Sequence, residues 1–97
     1  MHVISKRPLR EFWQNEPRSE NALRNWYKLM KKLAASNLAE LRQTFPDADL
    51  VGECIVFNVG GNKYRLVTRV DFLRRAIYVR HVLTHGEYDK NKWKSDC

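Results

Sequence analysis

The segment Cys54-Ile55-Val56-Phe57-Asn58-Val59-Gly60-Gly61-Asn62-Lys63-Tyr64-Arg65-Leu66-Val67-Thr68-Arg69-Val70 decides the fold. Residues 54–59 are rich in β-branched and aromatic side chains, which fit a pleated, half-buried surface. Gly60-Gly61-Asn62 tolerates positive φ and reads as a hairpin turn. Lys63 to Val70 is the return strand. Asp71 to Arg75 is a second connection and Ala76 to Leu83 a third strand, so the segment opens an antiparallel meander.

Upstream the apolar period is helical. Leu9, Phe12 and Trp13 fall at i, i+3 and i+4, and predict a helix over Lys6 to Asn15. Pro8 sits early, where a missing N–H costs least, and Pro17 ends or interrupts the segment. A second helix runs from Ser19, a candidate N-cap, to Ala34. Its stripe is Leu23, Trp26, Tyr27, Met30, Leu33 and Ala34, read as core rather than a partner groove. Asn37-Leu38-Ala39-Glu40 resembles a capping box and starts a short helix through Thr44. Residues 2–5 make a short strand. Strand, helices and meander together give an α+β class, with N-terminal helices packed on one face of a small antiparallel β-sheet.

The chain has 97 residues, which we read as a single domain over residues 1–97. With 43% hydrophobic and 30% charged residues it has globular proportions, against collagen-like, low-complexity or disordered classes. No stretch approaches the ~18 apolar residues of a membrane span. Met1-His2-Val3-Ile4-Ser5-Lys6 lacks a signal-peptide pattern. A cytoplasmic protein with no membrane partner is expected. The two cysteines fit that: Cys54 reads as a core residue and Cys97 as an unpaired thiol.

Eighteen Lys and Arg against eleven Asp and Glu leave +7, which favours an anionic partner. Residues 1–46 carry nine basic and four acidic side chains, and residues 47–97 nine and seven. The second half is less basic, but its charges are patterned. Strict alternation puts Tyr64, Leu66 and Val70 on one face of the return strand and Lys63, Arg65, Val67 and Arg69 on the other. On the third strand, Ile77, Val79 and Leu83 then look inward, and Tyr78, Arg80 and Val82 outward. Lys63, Arg65, Arg69, Tyr78 and Arg80 form one surface in this reading: cations for phosphates and a ring for a base. An ordinary solvated sheet face has the same composition. Thr84-His85-Gly86-Glu87-Tyr88-Asp89-Lys90 follows. His85 and Tyr88 are candidate proton-transfer groups. Thr84 and Glu87 also fit a capping box, and His85 fits a plain surface residue. No CxxC or HExxH motif occurs, and Gly60-Gly61 lacks nucleotide-loop flanks, so neither metal nor other cofactor is expected.

Val56 to Leu66 resembles the hairpin of the HigB family of toxins. Tyr78-Val79-Arg80 followed by Thr84-His85-Gly86-Glu87-Tyr88-Asp89 resembles that family's closing motif. Met1 to Ser5, Leu9, Trp26 and Leu38-Ala39-Glu40-Leu41 are similar too, so the resemblance spans about residues 1–94. It implies the toxin half of a bacterial type II toxin–antitoxin pair, with a RelE-like α+β fold. It implies an endoribonuclease that cuts messenger RNA on the translating ribosome. Its partners would be messenger RNA in the ribosomal A site, ribosomal RNA and a HigA helix-turn-helix antitoxin. Operator DNA would be met only through that antitoxin. At the matching positions Arg65 would bind the scissile phosphate, and His85 and Tyr88 would do acid–base work, with base and acid unassigned. Lys63, Arg69, Tyr78, Arg80 and Lys90 would hold RNA. His81 matches no family position and reads as a core histidine or an RNA contact. Two rivals stand beside this reading: a non-catalytic nucleic-acid-binding module on the same face, and a protein docking an acidic partner.

Overall fold

Residues 1–97 are described by a computed structural model. Five strands form one sheet in the order β1-β5-β4-β3-β2. They are β1 (His2–Ile4), β2 (Asp49–Val51), β3 (Cys54–Val59), β4 (Tyr64–Asp71) and β5 (Ala76–Thr84). The meander β3-β4-β5 is antiparallel as expected. The sheet as a whole is mixed, because β1 pairs parallel to β5 through Val3 and Ile77. β2 is an additional strand, which pairs with β3 through a two-residue turn at Gly52-Glu53. Its Leu50 is exposed, so no apolar alternation marks it.

Helices α1 (Arg7–Asn15), α2 (Glu20–Lys32) and α3 (Leu38–Thr44) lie on one face. Leu9 and Trp13 of α1, Leu23, Trp26 and Met30 of α2, and Leu41 of α3 are buried against Ile55, Phe57, Val59, Tyr64, Leu66, Ile77 and Val79. Edge-to-face pairs lock this layer: Trp26 on Phe57 at 5.5 Å, Phe45 on Phe57 at 5.2 Å and Phe12 on Tyr64 at 5.6 Å. Asn37 caps α3, accepting from the Glu40 N–H at 2.9 Å. Ser19 does not cap α2. It is buried in a 3-10 turn, Pro17–Ser19, and its hydroxyl donates to the Glu16 carbonyl at 2.7 Å. α2 stops at Lys32, because Leu33 turns extended and Ala34 stays exposed.

Two departures from strict alternation reshape the opposite face. Thr68 pairs with Val79 and Val67 with His81, so Arg80 is an extra residue in β5, a β-bulge. A bulge reverses the faces of every later residue. Val82 therefore packs on the helix-side core and Leu83 on the other side, the reverse of the expectation. The second departure is that the outer face is covered. The short helix α4 (His85–Asp89) and a 3-10 segment, Lys92–Asp96, fold beneath the sheet. Trp93 is 3% exposed there, in a small second core with Cys54, Val56 and Val67. Cys97 is not a free thiol: it forms a disulfide with Cys54, across 43 residues of chain and with Cα atoms 5.2 Å apart. Sequence spacing carries no sign of this, since only the folded tail brings the two together.

Candidate active site

The hairpin and α4 meet by register. Asn58 pairs with Arg65, Val59 with Tyr64, and Tyr64 with Thr84. β5 thus ends beside the turn, and α4 starts there. Gly60, Gly61 and Asn62 all take positive φ. A Cβ at Gly60 would also press on the Tyr64 ring at 3.0 Å. Thr84 and Glu87 complete the capping box: the Thr84 hydroxyl accepts from the Glu87 N–H, and the Glu87 carboxylate accepts from the Thr84 N–H. The His85 N–H donates to the Lys63 carbonyl at 3.1 Å, tying α4 to the hairpin.

Arg65 is the hub. Its Nη1 donates to the carbonyls of Asn62 at 2.9 Å and Tyr64 at 3.2 Å. Its Nη2 lies 3.3 Å from His85 Nδ1, and its guanidinium carbon 5.2 Å from the Tyr88 ring centre. A guanidinium only donates. In that contact His85 Nδ1 can serve only as the acceptor, and Nε2 faces Asp89 Oδ2 at 3.3 Å. The three residues singled out in the sequence for chemistry are therefore gathered in one place. Tyr88 holds its proton more tightly than an ordinary tyrosine. Burial is the main cause, Asp49 and Asp89 add to it, and Arg65 opposes it.

Arg65 and Tyr88 line an open cleft of about 430 Å³ with Arg42, Pro46, Asp47, Ala48, Asp49, Val56 and Asn58. Sequence reasoning missed Asp47, Asp49 and Arg42. Arg42 is held in place by donating to the Ala48 carbonyl at 2.9 Å. Pro46-Asp47 reads in sequence as a helix breaker and nothing more. Only the pairing of β2 with β3 swings this loop over the hairpin.

The remaining residues do not join the cluster. Lys63 is exposed at the hairpin end. Arg69, Tyr78 and Arg80 line a separate groove with Val70, Asp71 and Phe72, and Arg69 donates to Glu53 at 2.6 Å. Lys90 lies on a third concavity with Lys92, Glu87 and His81. The expected unbroken basic surface is divided, because Val67, between Arg65 and Arg69 on that face, is buried under the tail. His81 is half-buried and pairs with Asp96 of the tail.

Residues 19–91 match the HigB toxin family, described as the RelE-like toxic component of a toxin–antitoxin system. That defines the class: a small α+β toxin paired with an antitoxin. The chain is 34% identical to the mRNA interferase HigB of Escherichia coli O6:H1 (strain CFT073), over 93% of this chain and 90% of that protein. It is 33% identical to the mRNA interferase toxin HigB of Escherichia coli K12 and to the mRNA interferase HigB of Shigella flexneri, over 92% of this chain and 88% of each relative. The chain belongs to the HigB toxin family.

Proposed function

We propose that this chain, as a single RelE-like domain over residues 1–97, is a ribosome-dependent endoribonuclease of the cytoplasm. It cuts messenger RNA in the ribosomal A site, contacts ribosomal RNA beside it, and so arrests translation and growth. A HigA helix-turn-helix antitoxin neutralises it, and operator DNA is reached only through that antitoxin. Both the family and the mRNA interferase names of its relatives support this reading. The observation that carries it is the Arg65 guanidinium set between the His85 imidazole and the Tyr88 phenol at an open cleft.

The chemistry follows from those groups. The ribose 2′-OH attacks the adjacent phosphorus, the 5′-oxygen leaves, and the products are a 2′,3′-cyclic phosphate and a 5′-hydroxyl. The reaction needs a base, a cation on the crowded phosphate and an acid. His85 Nδ1 carries a lone pair, and a phosphate drawing Arg65 toward itself releases that nitrogen to take the 2′-OH proton. Arg65 stabilises the phosphorane. Tyr88, which retains its proton, donates to the leaving oxygen or to a phosphate oxygen. The scheme requires no metal ion. Lys63 extends the phosphate track from the hairpin. Arg69, Tyr78 and Arg80 hold RNA at the far groove, and Lys90 with Lys92 on the third surface.

The test adds purified protein to a translating ribosome reaction and maps new 5′ ends. Wild type should cut discretely, leaving 5′-hydroxyl ends, and should still cut when EDTA is added to preformed complexes. Arg65→Ala and the His85→Ala, Tyr88→Phe double variant should lose most of the rate. Ribosome binding without cuts would overturn the reading in favour of a non-catalytic binding module.

A further inference from the structure

Tyr88 sits on a short helix with little support of its own. α4 is five residues long and buries none of them. So short a helix is not stable by itself. Its start is fixed by the capping box, and its end by Trp93. The indole stacks on the Tyr88 ring at 4.7 Å and 15°, and its Nε1–H donates to the Tyr88 carbonyl at 2.9 Å. The phenol is therefore flanked by Trp93 and Arg65.

Trp93 in turn depends on a tail with few anchors. The segment Lys92–Asp96 is a single 3-10 stretch after Asn91, which takes positive φ. Beyond the packing of Trp93 on Val56 and Val67, three ties join it to the sheet. The Glu53 N–H donates to the Cys97 carbonyl at 2.9 Å, His81 pairs with Asp96, and the Cys54–Cys97 disulfide is the one covalent tie. The fit at the turn is close, since a Cβ on Gly52 would collide with the Cys97 carbonyl. Cys54 is fully buried and Cys97 half-buried, so the Cys97 side of the bond is the more open to a reductant.

We propose that Trp93 is a positioning residue for Tyr88, and that the Cys54–Cys97 disulfide is a reversible latch that makes this positioning depend on redox state. The proposal rests on the ribonuclease reading above for its effect on rate. In a reducing compartment thiols are the default state, and a disulfide there is conditional. A dithiol reductant attacks the Cys97 sulfur as thiolate, and the Cys54 thiolate leaves. The second thiol of the reductant then displaces Cys97. Two electrons and two protons pass to the protein, the S–S bond becomes two S–H groups, and the reductant becomes a disulfide. Without the covalent tie the tail frays, Trp93 leaves Tyr88, and the site keeps Arg65 and His85 but loses the phenol's alignment.

The test compares oxidised and dithiothreitol-reduced protein at a temperature where both are folded by circular dichroism. Two readouts run together: single-turnover cleavage on ribosome complexes, and the ring resonances of Tyr88 in ring-labelled protein. With ribosome complexes saturated, so that any affinity lost with Lys92 does not enter, reduction should lower the single-turnover cleavage rate about tenfold and shift the Tyr88 resonances as the indole departs. Cys97→Ser should behave as the reduced form under both conditions. Trp93→Ala should match it, and Trp93→Phe, which keeps a stacking ring, should recover most of the rate. In a Tyr88→Phe background reduction should have little further effect, since coupled groups do not add. Equal rates and unchanged Tyr88 resonances in the two redox forms overturn the latch. A rate loss undiminished in Tyr88→Phe overturns the positioning role. If oxidised wild type cuts no RNA, the ribonuclease reading fails, and the Tyr88 resonances alone decide whether the tail holds that ring.

Discussion

Arg65 has five N–H donors and no acceptor, and two backbone carbonyls already fix one end of its fork. The end nearest His85 is the part left to meet a phosphate. Charge alone will not replace that geometry. Arg65→Lys keeps the cation but loses the planar fork. Its single-turnover cleavage rate should fall by about 10²-fold, the scale of one lost oxyanion donor. Tyr88 gives a pH prediction. Its proton is held above the ordinary tyrosine value of about 10, first by burial and then by Asp49. No loss of rate from Tyr88 ionisation should therefore occur below about pH 10. The same shift favours the folded state while the phenol is protonated, so its contribution is complete below the unfolded value and is lost as pH rises through the folded one. Asp49→Asn removes one of the raising charges. Tyrosinate absorbance should show Tyr88 titrating at lower pH in that variant, and an unchanged titration would disprove the coupling.

At the scale of elements, two devices place the cluster. One is the capping box that starts α4 beside the hairpin. Thr84→Ala removes an N-cap worth about 1 kcal/mol. The helix has a single turn, so the loss should appear as faster amide exchange at Glu87 and Tyr88 and as slower cleavage, with little change elsewhere. The other device is the bulge at Arg80. β3 is legible as an apolar run of strand formers, and alternation is legible in β4 and in β5 through Val79. Past Arg80 the face assignments of Val82 and Leu83 invert, because an extra residue that faces solvent leaves no mark in an apolar pattern. The capping box is legible, since Thr and Glu three residues apart carry their own local hydrogen bonds. β2 is not, since its Leu50 lies exposed on an edge strand.

For the whole molecule, the largest effect absent from local sequence is closure of the tail on the sheet. A cross-link spanning 43 residues removes loop entropy from the unfolded chain worth about 4 kcal/mol. Reduction should lower Tm by at least ~10 °C, since each kcal/mol moves a domain of this size by about 4–8 °C. Scanning calorimetry with and without dithiothreitol measures this, and Cys97→Ser should melt like the reduced protein. The divided basic surface gives a second expectation. Arg65, the far groove at Arg69 and Arg80, and the Lys90–Lys92 surface are separate. Arg69→Ala and Arg80→Ala together should weaken ribosome binding and flatten its salt dependence by a slope of about 2, since each phosphate no longer neutralised takes away about one. The cleavage step itself should be unaffected.

The α+β class, the meander and the helical stripe that covers it can be read along the chain. Each is written in a short period or a local motif: alternation, helical spacing, a glycine turn. Alternation offers Arg65 only as one cation of a stripe, and it is the family resemblance that groups it with His85 and Tyr88. That these three residues meet while Arg69, Tyr78, Arg80 and Lys90 lie apart is a result of folding in three dimensions. So are the placing of Asp49 over the hairpin, the turning of Leu83 to the far face and the joining of Cys97 to Cys54. Those outcomes depend on contacts between residues far apart in the chain, and such contacts have no period along it. They follow from how the bulge, the edge strand β2 and the buried Trp93 fit together once the sheet has formed.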